Sequence, residues 1–381
     1  MLTGVRDMKK ILFLSNTANF SKFNIPYMRW FREQGWQVDY CSAGEETVPD
    51  CDNQYSISIA RSPFSLKNVK AYFELKKILK ENDYDIMHCH TPMGGVVGRL
   101  AACSFRKKHK IKVIYTAHGF HFYKGAPLLN WLAYYPVERL LTPKTDLLIT
   151  INREDYERAK KFKTNKIVYV PGVGVDISKF GGHGDIREAK KAELGLKSND
   201  FVILSVGELI PRKNHALTLK AIHLIKENCG LENIKFLICG RGILEKNLKD
   251  LASRLGIADH VSFLGYRNDI GEICAASDLF VLMSIQEGLP VALMEAMACK
   301  VPVICSNIRG NTDLIENGKN GEIAESKPSE LADAILKLKN DPALRDFYKQ
   351  NAAETIKHFD LTSVEQEMQK IYLQEMEEKQ L

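Results

Sequence analysis

The sequence lacks a long apolar run, a cysteine pairing pattern and any strong compositional bias, and each absence excludes a class of protein. Its longest uncharged candidate for a span is Gly125–Val137, 13 residues between Lys124 and Glu138. A helix that crosses a bilayer needs about 20, so no transmembrane segment is expected. No secretory leader is visible, because Met1–Asp7 is short and charged and the run Ile11–Leu14 is far shorter than a leader's apolar core. Met8-Lys9-Lys10 reads as a natural start, which makes residues 1–7 an expected upstream extension. The nine cysteines (41, 51, 89, 103, 229, 239, 274, 299 and 305) contain no Cys-x-x-Cys pair. An odd, dispersed set points to reduced thiols in cytosol rather than to a disulfide framework. Most of them adjoin aliphatic residues and are expected to fill core space. With 25 Gly and 13 Pro in 381 residues, collagen-like and low-complexity chains are excluded.

What is present is ordinary globular material, 45% hydrophobic and 26% charged, in a length that suits two domains. The net charge of +6 is unevenly spread. Residues 1–180 hold 28 basic against 17 acidic side chains, and residues 181–381 hold 25 against 30. The positive excess is densest in Arg106–Lys110 with Lys112, and in Arg158–Lys166. Such runs suit a solvated face or an anionic membrane surface. No nucleic-acid partner is expected, since zinc-finger, RRM and basic-zipper patterns are all missing.

Short apolar runs alternate with helical stretches from end to end. Strands are predicted at Ile11–Asn16, Gln37–Ala43, Tyr55–Ile59, Asp85–His90, Lys112–His118, Asp146–Asn152 and Lys166–Gly172, then at Phe201–Gly207, Lys235–Gly240, Val261–Gly265, Leu279–Ser284 and Val301–Ser306. Several are continuously hydrophobic, as strands covered on both faces by crossover helices must be. The fold class is therefore α/β, with two doubly wound, Rossmann-like domains. A glycine-rich stretch from Pro171 to Gly184 marks the boundary, giving domains at 1–180 and 181–381. The last helix, about 360–381, is expected to return to the first domain. Ligands of such sheets sit at the carboxyl ends of strands, so the expected site is a cleft where both sets of strand ends face each other.

The strand-to-loop junctions carry the candidate chemistry. Beyond Gly207 comes Glu208-Leu209-Ile210-Pro211-Arg212-Lys213-Asn214-His215, two adjacent cations ahead of a helix starting near Asn214. Fixed cations beside helix-terminal amides suit a diphosphate. After Leu279–Ser284 comes Ile285-Gln286-Glu287-Gly288-Leu289-Pro290, then a helix carrying Glu295. Pro290 is placed in that helix's first turn, and Gly288 allows backbone amides to approach an anion. Glu295 lies among apolar neighbours and needs a partner to offset its desolvation. Gly240-Arg241-Gly242 fails the dinucleotide fingerprint, and Gly318-Lys319-Asn320 is not a phosphate-binding P-loop. His118 ends a first-domain strand beside Gly119. His88 and His90 share a strand face, but no carboxylate is spaced to complete a metal site. The segment Pro127–Tyr135 reads as a helix beginning at Pro127, with Leu128, Trp131, Leu132 and Tyr135 in one stripe. Its aromatic tips suit a lipid headgroup boundary, and a core-packed helix is the alternative.

At these residues the sequence resembles the retaining, nucleotide-sugar-dependent glycosyltransferases of GT-B fold, family 4, over nearly its whole length. The strongest element is Glu287-x7-Glu295 within EGLPVALMEAMACKVPVICS, which follows that family's E-x7-E motif. GELIPRKNH is similar to its phosphate-binding loop, with Lys213 on the family lysine, although Glu208 stands where Arg is most common. The first loop reads Thr17-Ala18-Asn19-Phe20 in place of a glycine pair. HTPMGG (90–95) and HGFHFYKGAP (118–127) are similar to bacterial exopolysaccharide and capsule transferases, whose acceptors are usually sugars on a polyprenyl diphosphate.

The resemblance implies roles. Lys213 and Arg212 would hold the donor diphosphate with the amides of Gly288 and Leu289, and Gly207 would lie at the donor. Glu295 would accept the ribose hydroxyls, and the segment Gly265–Asn268 with Arg267 would lie against the base. Glu287 would contact the donor sugar near the reacting centre, and His118 would bond its hydroxyls, making His118, Glu287 and Lys213 the catalytic set. His121, Trp131, Tyr134 and Tyr135 would face acceptor and membrane. The implied activity moves a hexose or N-acetylhexosamine, with retention, from a nucleotide-sugar (UDP expected) to a lipid-linked sugar in cell-surface polysaccharide synthesis. It implies a cytoplasmic protein, peripheral on the inner face of the plasma membrane, with no cofactor and no metal. A nucleotide-sugar epimerase and a non-catalytic sugar-nucleotide-binding subunit are the alternatives on the same architecture.

Overall fold

The computed structural model describes residues 8–109, 111–181 and 186–377, with backbone alone at 107–109. The expected upstream extension, the side chains of Lys107 to Lys110 and residues 182–185 of the expected boundary lie outside the described residues. Two units emerge, one of Met1–Gly172 with Glu365–Leu381 and one of Val173–Val364. The break thus precedes the expected 180/181. Backbone pairing explains why: Val175 N donates to Phe359 O (2.9 Å) and Leu361 N to Val175 O (3.0 Å). Gly174, at φ +75°, passes so near Leu361 that a Cβ would lie 2.7 Å from its Cα.

The first unit holds seven strands: β1 (Lys10–Leu14), β2 (Gln37–Ser42), β3 (Asn53–Ser56), β4 (Ile86–His90), β5 (Lys112–Ala117), β6 (Leu147–Thr150) and β7 (Ile167–Tyr169). They form one sheet in the order β3-β2-β1-β4-β5-β6-β7, every pair parallel. Side chains alternate between its faces with period two. Leu12, Leu14, Met87, Cys89, Val113 and Tyr115 enter a core covered by the helices Lys67–Glu81, Pro92–His109 and Leu128–Leu141. Phe13 and His88 point the other way, toward Phe31 and Tyr372.

A buried ion pair ties two of those helices together. Arg99, 1% exposed, donates two parallel bonds to Glu138 (2.8 and 3.0 Å), donates from Nε to Gly95 O and stacks on Tyr115. Glu138→Ala would leave that guanidinium buried without its counter-charge. We expect a loss of about 3–5 kcal/mol in denaturant unfolding, whereas a loss under about 1 kcal/mol would mean the pair is dispensable.

The second unit holds β8 (Phe201–Val206), β9 (Ile234–Cys239), β10 (Val261–Gly265), β11 (Leu279–Leu282), β12 (Val303–Ser306) and β13 (Glu322–Ala324), in the order β10-β9-β8-β11-β12-β13. All pairs are parallel. The three-residue β13 was not predicted, being too short and too polar to register as a strand.

Candidate active site

In each sheet the strand order reverses once, at β1/β4 and at β8/β11, and the crevice beyond the carboxyl ends of such strands is where a doubly wound sheet binds ligands. In the second unit this reversal brings together the loops singled out in the sequence. Ile285 N donates to Arg212 O (2.8 Å), which fixes one loop on the other. Lys213 Nζ then donates to Glu287 Oε1 at 2.7 Å, and Arg212 Nη1 to Glu287 Oε2 at 3.0 Å and Gln286 O at 2.9 Å. Glu287 is 6% exposed, so two cations offset the cost of burying its carboxylate. Glu208 approaches Arg212 only at 3.7 Å.

Glycines make this geometry possible. Gly207 runs against the Lys213 chain, with a Cβ placed 3.3 Å from its Cδ. Gly240, at φ +149°, has its Cβ position overlapping the Gly207 carbonyl. Gly240 and Gly242, the remnants of the failed fingerprint, therefore serve close backbone approach. Beside the cation pair lies a cavity of about 660 Å³, lined by Gly207, Glu208, Arg241, Tyr266, Arg267 and Glu295 among others. Arg267 is engaged with Asp269 (2.8 and 2.5 Å) and Glu193 (3.1 Å), and these carboxylates raise its pKa further. Gly288 abuts Gly310, and Leu289 is buried. Pro290 is the N-cap of the helix Val291–Ala298 rather than part of its first turn. Sequence reasoning missed Arg309, buried after β12, whose Nε donates to Glu287 O at 3.2 Å. Its signal was available, a lone arginine before Gly310 at the carboxyl end of a predicted strand.

In the first unit, β4 and β5 deliver three histidines to one face. His88 Nδ1 lies 2.7 Å from Tyr372 Oη and Nε2 lies 2.8 Å from Thr116 Oγ1. His90 Nδ1 lies 3.1 Å from His118 Nε2, and Phe20 meets the edge of His118 at 4.8 Å. One proton serves the His90–His118 contact. His90 Nε2 is buried with no partner among the described residues. A buried N–H without an acceptor is the costlier orphan, so the proton belongs on His90 Nδ1. His118 Nε2 then accepts, and His118 carries its own proton on Nδ1. Thr91, next in the chain, sits at φ +64° and accepts from Asn16 N (3.2 Å) and Gly94 N (3.3 Å). A β-branched residue there stores strain of about 1–3 kcal/mol.

Burial lowers His88 to about 3, and His118 and His215 to about 4. His90 is also lowered, first by burial and then by the charges of its two neighbours. Unfolded histidine titrates near 6.5, so between about pH 6.5 and 4 the unfolded chain binds more protons than the folded one. Stability is full above that window and is lost as pH falls through it. We expect the unfolding free energy to fall steadily from pH 7 to pH 5, by on the order of 1–2 kcal/mol per histidine, and the unfolding midpoint to fall with it. A midpoint that stays level would contradict the buried neutral set.

A family model described as glycosyl transferases group 1 matches residues 186–355, and one described as glycosyl transferase 4-like matches residues 10–152. The chain is 39% identical over 369 residues to the EpsD protein of Bacillus subtilis (strain 168), named as a glycosyltransferase, with 96% of each chain covered. The chain belongs to the GT-B glycosyltransferases of family 4 type. This glycosyltransferase is also 32% identical over 321 residues to the UDP-Gal:alpha-D-GlcNAc-diphosphoundecaprenol alpha-1,3-galactosyltransferase of Escherichia coli, covering 83% of this chain and 82% of that one. Its fold matches HepE of Anabaena, solved with UDP and glucose, at a TM-score of 0.79 and 21% identity, over 96% of this chain and 100% of that one.

Two expectations for the glycosyltransferase's first unit need correction. Trp131, Tyr134 and Tyr135 pack onto the core rather than outward, with Trp131 and Tyr135 against Phe122 and His121 stacked on Tyr134 at 4.5 Å. The rings fill space that phenylalanines of the neighbouring loop leave, while Leu128 and Leu132 of the same stripe are exposed. Among the described residues several members of the densest basic runs are also held in ion pairs: Arg106 with Asp146, Arg158 with Glu154, Lys160 with Glu157, and Lys112 and Lys166 with Glu375. Among the described residues no group of three or more His, Cys, Asp or Glu side chains could hold a metal ion.

Proposed function

We propose that this glycosyltransferase moves a hexose or N-acetylhexosamine from a UDP-sugar to a sugar carried on a polyprenyl diphosphate, with retention and without a metal, at the cytoplasmic face of the membrane where cell-surface polysaccharide is assembled. The observation that carries the reading is the convergence of Arg212 and Lys213 on Glu287 beside the cavity that Gly207 and Glu295 line. The cavity takes the nucleoside, with Glu295 accepting ribose hydroxyls and the segment at Arg267 against the base. The cations face the diphosphate. As the bond from the sugar's anomeric carbon to the diphosphate oxygen breaks, negative charge grows on that oxygen, and fixed cations stabilise it without reorganising. The acceptor hydroxyl forms the new bond on the same face and passes its proton to the departing diphosphate oxygen. Donor and acceptor classes draw support from the Escherichia coli relative, whose name specifies UDP-Gal and a diphosphoundecaprenol-linked sugar.

Thermal shift with UDP, GDP, ADP and NAD tests the donor class. UDP at 100 times its dissociation constant should stabilise by about 2.7 kcal/mol, a shift of several degrees, with little from NAD. A shift with GDP or ADP alone would replace the nucleotide, and no shift with any would remove the donor-site assignment. Transfer from labelled UDP-sugars to a polyprenyl-diphosphate-linked sugar then tests the reaction, and the anomeric proton coupling of the product tests retention. Donor turnover without acceptor would mean an epimerase.

A further inference from the structure

Sixteen large hydrophobic side chains are exposed among the described residues, and ten of them lie on or just ahead of three neighbouring helices of the first unit. They are Phe64 and Leu66 ahead of the helix Lys67–Glu81, Val69 and Phe73 on it, Leu100 on Pro92–His109, and five residues of Leu128–Leu141. These are the three helices that cover the Leu12–Tyr115 core, and the middle one packs against both others. Each buries one stripe against the sheet, as a surface helix should. The opposite side is where water-facing helices carry polar residues, yet on Leu128–Leu141 it is largely apolar: Leu128, Leu129, Leu132 and Leu140 are 65–76% exposed. Isolated exposed leucines need no explanation, but a concentration of them on neighbouring helices marks an interaction surface.

The charge around the patch selects its occupant. Residues 61–80 and 124–144 contain nine basic side chains, among them Arg61, Lys67, Lys70, Lys77, Lys80 and Arg139, which are all exposed. The same segments contain two acids, and Glu81 at the end of the helix Lys67–Glu81 adds a third. Glu74 is half-buried, bonded by Ser58 and 3.6 Å from Lys70, Glu138 is buried on Arg99, and the exposed Glu81 lies 3.9 Å from Lys77, which leaves the basic side chains in threefold excess. A second copy seated on this patch through a two-fold axis would bring the basic rim against itself. An anionic bilayer offers apolar chains to the leucines and opposite charge to the rim.

We propose that the outer side of this three-helix layer docks the protein on an anionic lipid bilayer, with the leucines of Leu128–Leu141 and the Phe64–Phe73 segment entering the interface and the lysines of Lys67–Glu81 lying on the headgroups. The inference deepens the reading of a bilayer-borne acceptor and rests on it for its purpose, while the surface itself is testable without any substrate. It also moves the membrane contact from the aromatic side of the helix Leu128–Leu141 to its aliphatic side.

The test is sedimentation of the full chain with vesicles of equal parts phosphatidylglycerol and phosphatidylcholine, and with phosphatidylcholine alone. Binding is expected to the anionic vesicles and to weaken with salt. The triple substitution Leu128→Ser, Leu132→Ser and Leu140→Ser should reduce partition roughly 10²-fold, with an unchanged unfolding midpoint because these side chains are outside the core. Lys67→Glu with Lys70→Glu and Lys77→Glu should abolish the preference for anionic vesicles. Binding to neither vesicle, or binding indifferent to the leucines, overturns the proposal. So does a wild-type dimer in light scattering that the leucine variant converts to monomer, which would assign the patch to a second copy. Transfer to a short-chain, water-soluble acceptor without vesicles separates the two readings: it should survive the leucine substitutions, and its absence alongside intact vesicle binding would remove only the transfer reaction.

Discussion

Lys213→Gln is expected to lower transfer by about 10²–10³-fold, the largest effect of any single substitution in the second unit. The ammonium lies 2.7 Å from Glu287 Oε1 and is 12% exposed, so its charge acts with little screening by water. Glutamine keeps a hydrogen-bond donor for Glu287, and Arg212 still holds the other carboxylate oxygen. The folded state should therefore change by only a few degrees in its midpoint. Because the charge on the leaving diphosphate grows toward the transition state, the loss should fall on kcat as well as on kcat/KM. Arg212→Gln should cost less, about tenfold, since its head is three times as exposed as that of Lys213 and also bonds the Gln286 carbonyl. Turnover of Lys213→Gln within threefold of the parent protein would place the diphosphate elsewhere.

Why Lys213 could be found in the sequence, and His90 could not, comes down to what each signal encodes. Continuous apolar runs such as Phe201–Val206 and Leu279–Leu282 are what a strand buried on both faces must contain. Once those were located, the loops beyond their carboxyl ends followed, and with them Arg212, Lys213, Glu287 and Glu295. Strand order is not written in any local pattern. That β8 lies beside β11 decides that the two loops meet, and it also brings in Arg309 from the neighbouring β12. The helix Leu128–Leu141 failed differently. Its periodicity defined a stripe, but which edge of the stripe faces the core depends on Phe122 and Phe162 arriving from elsewhere. Leu66, Val69 and Phe73 were invisible for the opposite reason: spaced as a core stripe would be, they are exposed. In the same way a histidine at a strand end gives no hint of its partner 28 residues away.

That partner supplies the second large prediction, in which His90 is a positioning residue for His118. With its proton on Nδ1, His90 donates to His118 Nε2, and His118 is left as an Nδ1–H donor of the kind a sugar hydroxyl requires. His118→Ala removes that donor and should cost about 10²-fold in transfer. His90→Leu keeps His118 but frees its tautomer, and we expect a loss of about tenfold, mainly in kcat. His90→Asn should restore most of it, because the asparagine Nδ2 occupies nearly the place of the histidine Nδ1. A purely steric role for His90 would not distinguish Leu from Asn in this way. Nitrogen-15 couplings of the His118 ring provide a readout independent of activity. The Nδ1–H form should dominate in the parent protein and in His90→Asn, and should give way to a mixture in His90→Leu. The double variant His90→Leu with His118→Ala should be no worse than His118→Ala alone, since a residue that acts through another adds nothing once that other is gone. An Nε2–H signal for His118 in the parent protein would reverse the direction of the bond, and with it the role assigned to His90.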